Sequence, residues 1–351
     1  MTRKPVIRYL EPAGAEEFSH LPPGLQAACD QKTNNVTIVF CARTAIVTID
    51  CYKGCMKCDL HVHTLHSGMC TVPVLDRICK ESYNDPRDVY ETLKHRGMDL
   101  VTVTDHDSID AVEPLRRHRD FFLSEEVSCA TANGTRLHMG VYDIEERHHV
   151  ELQRRRDDMP RLLAYLGEQR LLFSVNHVYS GLTGSRTHAD FDDFAGLYPA
   201  VETLNGQMLA SANRRAAVFA VRTRKVAVAG SDAHTLPCLG RTYTEVPGAR
   251  CRSEFLAGLK QGRSVAAGAS GSYWKLTRAV WTIGWNLMRE YRWTPVLAPL
   301  LAVIPAVTMA NLALELMFAW KWGRRTERFS NLASYDVATR DILAPVETRL
   351  T

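Results

Sequence analysis

The chain is 351 residues long, enough for one large domain or two of ordinary size, and 46% apolar with 23% charged residues is a globular composition. A formal net charge of +4 argues against a dedicated nucleic-acid binder, whose basic residues would cluster. The one dense basic run, Arg154-Arg155-Arg156, is answered at once by Asp157-Asp158, as on a solvated helix face.

Residues 1–55 form a mixed, Pro/Gly-containing extension with one β-like run, 36–40, and no evident chemistry. Met56 precedes Lys57-Cys58-Asp59-Leu60, where a strand opening a compact domain would begin, so Met56 is a second candidate start. Cys51, Cys55 and Cys58 form a C-x3-C-x2-C string, but no second Cys/His pair at finger-like spacing completes it. Ten cysteines without framework spacing fit a reducing compartment, and no secretory signal is visible, so a cytoplasmic catalytic domain is expected.

From 56 to 268, β-like runs alternate with helical patterns, the texture of βα units in a barrel or an open sheet. Asp85-Pro86 opens a helix with Val89 and Leu93 on one face, and Gly97 ends it. Strands are expected at 100–104, 137–142, 171–175, 200–204 and 225–229, with helices at 151–169 and 210–222.

Residues 269–351 form a C-terminal extension of different character. The stretch 294–314 has no charged residue and matches the roughly 20 residues that cross a bilayer, with Trp293, Trp320 and Trp322 near its edges. Pro295, Pro299, Pro305 and Glu315 interrupt it, and basic residues flank both sides, so no orientation is readable. Membrane association through 294–320 and a hairpin packed on the domain or on a partner are both open.

The chemistry lies in short histidine-bearing strings: Asp59-Leu-His61-Val-His63-Thr64, Thr104-Asp105-His106-Asp107, Asn176-His177 and Gly230-Ser-Asp232-Ala-His234. All but the first follow β-like runs, and side chains at the carboxyl ends of neighbouring parallel strands converge on one mouth. A His-x-His pair on a strand presents both rings on one face. Imidazole with carboxylate suits zinc, manganese or iron.

With these motifs the chain resembles the PHP family, named for polymerase and histidinol phosphatase domains, in its metal-dependent phosphoesterase branch. The resemblance covers about 56–268 and runs through the motifs in order. D-L-H-x-H-T matches residues 59–64, T-D-H-D matches 104–107, and E-V/I-S matches Glu126-Val127-Ser128. His138, His177 and G-S-D-A-H at 230–234 follow, and Glu202 with Asn205 matches an E-x-x-N strand end. It implies a distorted (β/α)7 barrel, an α/β fold, with two or three divalent ions (Mn, Zn or Fe) at its mouth. By position, His61, His63, Glu126 and Asp232 would hold the first ion. Glu126 would bridge to a second, shared with His138 and His177, and His106 and His234 would serve a third. Glu125 competes with Glu126, but strand alternation points it to the other face. The family's opening run continues S-D-G; here Gly68 stands where that aspartate completes the third position, with His66 or Cys70 as nearby substitutes.

Paired divalent ions acidify bound water to hydroxide and neutralise charge on phosphoryl oxygens, so no protein nucleophile is required. Asp105 and Asp107 are placed to orient imidazoles or to cap the following helix. Arg186 and then Arg241 are first choices for binding phosphate, and His188 is either a proton donor or a surface residue. The expected activity is hydrolysis of a phosphomonoester, a nucleotide or a short nucleic-acid end, including exonuclease-like action at 5′ ends; the mild charge disfavours long duplexes. The competing readings are a metal-stabilised, membrane-anchored scaffold or sensor without turnover, and C–N bond hydrolysis by the same kind of centre. No protein partner is indicated.

Overall fold

The computed structural model describes residues 54–331, apart from 73, 74 and 132, together with the backbone of β1 (Ala28–Asp30), β2 (Asn35–Val39) and β3 (Ile46–Asp50). These three pair antiparallel in that order, and the β-like run at 36–40 falls mostly in β2.

The main body begins with β4 (Cys55–Cys58), which carries Met56. Next comes α1 (Pro86–His95), with Asp85 accepting from the Arg87 amide as its N-cap and Val89 and Leu93 buried, as the sequence pattern predicts. A short α2 (Val112–Leu115) leads to β5 (Ser124–Ala130) and β6 (Arg136–Tyr142). The expected helix at 151–169 is two helices, α3 (Glu146–Arg155) and α4 (Met159–Glu168). Asp158 accepts from the Arg161 amide and Pro160 lies in the first turn, so a new helix starts there instead of the old one continuing. The basic run ends α3, with Arg154 and Arg155 paired to Glu151 and Arg156 to Asp107.

The alternation continues through β7 (Leu172–Val175), α5 (His188–Leu197), β8 (Ala200–Asn205), α6 (Ala210–Arg222) and β9 (Val226–Gly230). Then follow β10 (Thr242–Pro247), α7 (Arg252–Lys260) and β11 (Val265–Gly268). The pattern reading did not include β5, β10 or β11.

The fold is α/β with a mixed sheet. Strands β5 to β9 lie in sequence order; β5–β6 and β6–β7 pair antiparallel, β7–β8 and β8–β9 parallel. A separate antiparallel sheet has the order β11-β10-β4. The ladders do not close into a (β/α)7 barrel. Between β9 and β5, among the described residues, strand pairing is reduced to isolated parallel bridges, Val62 to Ala233, Val101 to Phe121 and His106 to Glu126, with single backbone hydrogen bonds such as Leu60 to Ala229 and Thr104 to Val62. The segment expected as a strand at 100–104 is one of these.

Side chains there take the amides a ladder would use. Thr104 Oγ1 accepts from the Val62 amide at 2.9 Å, Asp105 Oδ1 from Thr64 at 2.5 Å, and Asp59 Oδ1 from Ser231 at 2.7 Å. Short polar side chains that bond nearby backbone compete with regular pairing. Apolar packing supports the frame from both sides: Leu60, Leu100, Phe122, Leu172 and Val228 meet Phe255 and Leu259 in one cluster, and a larger one contains Val62, Val103, Val127 and Phe191.

The chain ends in α8 (Tyr273–Glu290), a 3-10 stretch over Thr294–Val303 that contains Pro299, and α9 (Ile304–Arg325). The run Thr294–Arg325 is long and apolar enough to cross a membrane by length and composition. One face of α9 is nevertheless part of the domain, since Trp322 is 2% exposed and stacks on Phe191 at 5.3 Å.

The approach of β9 to the first histidine motif yields a stability test. A Cβ on Gly230 would stand 2.3 Å from both the Cβ and the backbone nitrogen of His61, whereas one on Gly167, in α4, meets nothing within 4 Å. Gly230→Ala is expected to lower the unfolding free energy in urea by about 1–3 kcal/mol. Gly167→Ala should raise it by about 0.5 kcal/mol. Equal midpoints for the two variants would contradict the packing described.

Candidate metal centre

Extended segments deliver the site residues to one place. His61 and His63 share a face because Val62 between them turns into the core. Glu126 points inward from β5, and its neighbour Glu125 points outward to accept from His149 Nδ1 at 2.7 Å and Gln153 Nε2 at 3.2 Å. His138 comes from β6, His177 from the turn after β7, and Asp232 and His234 from the turn after β9. His106 is bridged to Glu126 by backbone pairing.

Glu126 is the hub. Its Oε2 lies 3.1 Å from His61 Nε2, 3.5 Å from His63 Nε2 and 3.3 Å from His106 Nδ1. Its Oε1 lies 3.3 Å from His177 Nε2 and 3.6 Å from His138 Nδ1. Asp232 Oδ1 is a second hub, 3.3 Å from His63 Nε2, 3.5 Å from His61 Nε2 and 3.6 Å from His234 Nδ1. Ligand atoms gather within 4.8 Å of one another in overlapping groups: His61/His63/Asp232, His61/Glu126/His177, His106/Glu126/His138 and His63/His106/His234.

The donor set fits divalent ions. His63 Nε2, His106 Nδ1 and His234 Nε2 are buried without a hydrogen-bond partner, at a usual cost of about 1–3 kcal/mol each. Two ligands at about 2.0–2.1 Å from one tetrahedral ion are about 3.3–3.4 Å apart. The nitrogen–oxygen separations around Glu126 and Asp232 cluster at that spacing and exceed the about 2.7–2.9 Å of a charge-assisted hydrogen bond.

Protonation follows the same geometry. Burial alone would raise the Glu126 and Asp232 carboxyls, yet the imidazoles around them, His61 foremost, hold both well below the usual range. Burial pushes His63 down to about 3, helped by His234 and His106, and pushes His138 down to about 3 against the attraction of Glu126. Burial also opposes charge on His61, but Glu126, Asp232 and Glu202 raise its pKa well above the ordinary value. Ionised carboxylates are what a metal ion requires, and binding one would displace the proton that these carboxylates favour on His61.

An outer set of hydrogen bonds selects the tautomers. Ser67 Oγ donates to Asp105 Oδ1 at 2.7 Å, so its oxygen accepts from His63 Nδ1 at 2.9 Å and leaves the Nε2 lone pair for an ion. Glu202 Oε1 does the same for His61, accepting from Nδ1 at 2.7 Å. Its Oε2 accepts from the His177 amide and from Asn205 Nδ2, and that Nδ2 also reaches Asp232 Oδ2 at 3.0 Å. Asn176 Nδ2 donates to Glu126 Oε1 at 2.8 Å. His177 and Asp232 have φ of 33° and 51°, in the left-handed region that non-glycine residues seldom occupy away from functional turns.

Other expected residues have different employment. Asp105 acts on His63 through Ser67, and Asp107 instead holds β5, accepting from the Ser128 amide at 2.8 Å and pairing with Arg156. Neither caps α2, whose N-cap is Ala111. Arg186 is 4% exposed and donates to the Arg136 carbonyl and Thr183 Oγ1, which gives it a structural place in its loop. Arg241 Nε donates to the Pro237 carbonyl at the surface. His188 packs edge-on to Trp322. Cys58 is buried in the core, and Cys51 lies outside the described residues.

Sequence reasoning did not place two carboxylates. Glu202 stood only in the E-x-x-N resemblance. Glu81, whose oxygens face His106 and His234, lies in a loop with no periodicity or motif to mark it.

Residues 210–264 match the family model described as PHP-associated, a stretch that runs from α6 through α7 and includes Asp232 and His234. This match agrees with the resemblance to the PHP family that the motifs carry. A 67-residue stretch of the chain, 19% of its length, is 34% identical to an uncharacterised protein of Methanocaldococcus jannaschii, of which it spans 38%. Among solved structures, PsfC from Pseudomonas syringae is 18% identical, with 68% of this chain and all of that one aligned at a TM-score of 0.49. The lesion-specific endonuclease EndoQ of Pyrococcus furiosus is 16% identical over 57% of this chain and 55% of its own, at 0.40.

Within this site, Glu202→Gln removes the negative charge that faces His61 Nδ1 but keeps the side chain's size. It should weaken metal binding about 10- to 100-fold in a competition titration with a chelating dye. Unchanged affinity would remove Glu202 from the site.

Proposed function

We propose that the chain is a metal-dependent phosphoesterase acting on a phosphomonoester, a nucleotide or a short nucleic-acid end. The observation that carries this reading is the ring of imidazoles around Glu126 and Asp232, several with an unpartnered nitrogen at metal-ligand spacing. His61, His63, Glu126, Asp232, His138 and His177 would hold divalent ions, which when bound would acidify water and neutralise charge on phosphoryl oxygens.

The chain's own groups set this up. Asp105 through Ser67, and Glu202 directly, keep a proton on Nδ1 of His63 and His61 and hold both rings still. Asp59 Oδ1 accepts from the Ser231 amide and Oδ2 from Gly240, which ties the Asp232 turn to the first histidine segment. Ser67 is no nucleophile: it is 5% exposed and its hydroxyl donates to Asp105 while accepting from His63. The mild net charge suits a small phosphorylated substrate or a nucleic-acid end better than a long duplex.

A panel of p-nitrophenyl phosphate, nucleotides and 5′-phosphorylated oligonucleotides, with Mn²⁺ or Zn²⁺, tests the proposal. Phosphate or nucleotide release should occur, stop on chelation, and fall at least about 100-fold in His61→Ala, more than an outer partner costs. Bound metal without turnover on any phosphoester would favour the scaffold reading, and amide or amidine hydrolysis instead would favour C–N chemistry.

A further inference from the structure

The structure assigns to Glu81 the carboxylate of the third ion position, an inference that rests on the metal reading above. Its Oε2 lies 3.4 Å from His106 Nε2 and its Oε1 3.5 Å from His234 Nε2. Both separations are too long for a charge-assisted hydrogen bond and match two ligands of one ion. The His63 ring stacks on His106 at 4.6 Å and on His234 at 4.3 Å, so the three imidazoles form an arc, and Glu81 bridges two of them. His234 Nε2, one of the nitrogens facing Glu81, is buried with no hydrogen-bond partner.

The first motif has no carboxylate to offer here, because Gly68 occupies that place. The chain brings one back by folding over itself. Residues 69 and 80 form an antiparallel bridge, Cys70 donates to the Cys79 carbonyl, and the Glu81 amide donates to the Gly68 carbonyl at 3.1 Å. Glu81 thereby stands beside the residue that lacks a side chain. His66 lines an open cleft with Asp85, Arg87 and Glu113, Cys70 is a free thiol, and neither nearby substitute joins a cluster of metal-ligating atoms among the described residues. From outside, Glu290 of α8 pairs with Lys80 at 2.8 Å and accepts from Tyr83 OH at 2.8 Å, clamping the turn that bears Glu81.

Metal content tests the assignment without reference to turnover. After equilibration with Mn²⁺ or Zn²⁺ and desalting, Glu81→Gln and Glu81→Ala should each retain fewer ions than the wild type, or bind the weakest one at least about tenfold less tightly. A Cβ at Gly68 meets nothing within 4 Å, and at its φ of 82° aspartate is among the better tolerated residues. Gly68→Asp combined with Glu81→Ala should therefore recover the lost ion, which a merely structural Glu81 would not predict. Wild-type stoichiometry and affinity in both single variants would overturn it. An inactive wild type that still shows this pattern would count against the phosphoesterase proposal only.

The α8–α9 hairpin carries a separate inference. We infer that it rests on the surface of an anionic bilayer without crossing it. The most apolar window of Thr294–Arg325 has a mean hydropathy of 2.0, yet only 17% of it is buried. Trp285, Trp293, Val296, Val307 and Trp320 are each about half exposed or more. Between 291 and 314 there is no Asp or Glu, while Arg289, Arg292, Lys321, Arg324 and Arg325 stand at the ends. Aromatic and apolar side chains rimmed by cations complement anionic headgroups over acyl chains. Spanning is opposed by the opposite face of α9, where Glu315 Oε1 accepts from the Gly181 amide at 3.0 Å and Trp322 is stacked on Phe191. The full chain should float with phosphatidylglycerol-containing vesicles, bind them less in high salt, and be released by carbonate. Trp285→Ser with Trp293→Ser should weaken vesicle binding about tenfold or more. Resistance to carbonate, equal binding to neutral phosphatidylcholine, or a dimer that binds no vesicle would each overturn it.

Discussion

A carboxylate buried without solvent contact, Glu126, is the element on which the rest depends. An ionised group in that position is tolerable only if charge and hydrogen bonds reach both its oxygens. Here they arrive from segments far apart in the chain: His61, His63 and His106 on one oxygen, His138, His177 and Asn176 on the other. The site and the fold are therefore one problem. The turns must converge for Glu126 to be buried as an anion, and divalent ions complete the compensation that imidazoles begin.

The same requirement explains where the sheet is irregular. Asp59, Asp105 and Thr104 take backbone amides that would otherwise pair strand to strand, and isolated bridges replace ladders between β9 and β5. The arrangement gives up regular hydrogen bonding on one side of the molecule. In return it gains fixed tautomers at His63 and His61 and a place for left-handed turns at His177 and Asp232. Ladder pairing persists through β5 to β9, with one register shift between Glu202 and Leu204 on β8.

The C-terminal hairpin shows how a composition signal divides on folding. An apolar run long enough to span a bilayer becomes a helix with one face built into the domain through Trp322 and Glu315 and the other left to solvent. Proline at 299 shortens the regular part, and the chain folds back against α8. Glu290 of α8 in turn touches the loop that carries Glu81, so this extension is physically joined to the edge of the metal centre.

Local chemistry was legible in the sequence wherever neighbouring residues decide it. The match to E-V-S, with strand alternation in support, separated Glu126 from Glu125, a capped start and a Gly stop marked α1, and the histidine strings announced a metal centre. The split between α3 and α4 was also present, in Asp158 and Pro160, beneath an apolar periodicity that runs through both. What adjacency does not encode was invisible: Arg186 turning to the Arg136 carbonyl, Glu202 reaching His61 Nδ1, and above all Glu81 folded back beside Gly68. The sequence by itself determined the donor types and the strand ends that bear them, because side-chain chemistry and strand period are local. Which carboxylate meets which imidazole was decided only by tertiary structure, since those contacts join residues whose separation along the chain carries no signal.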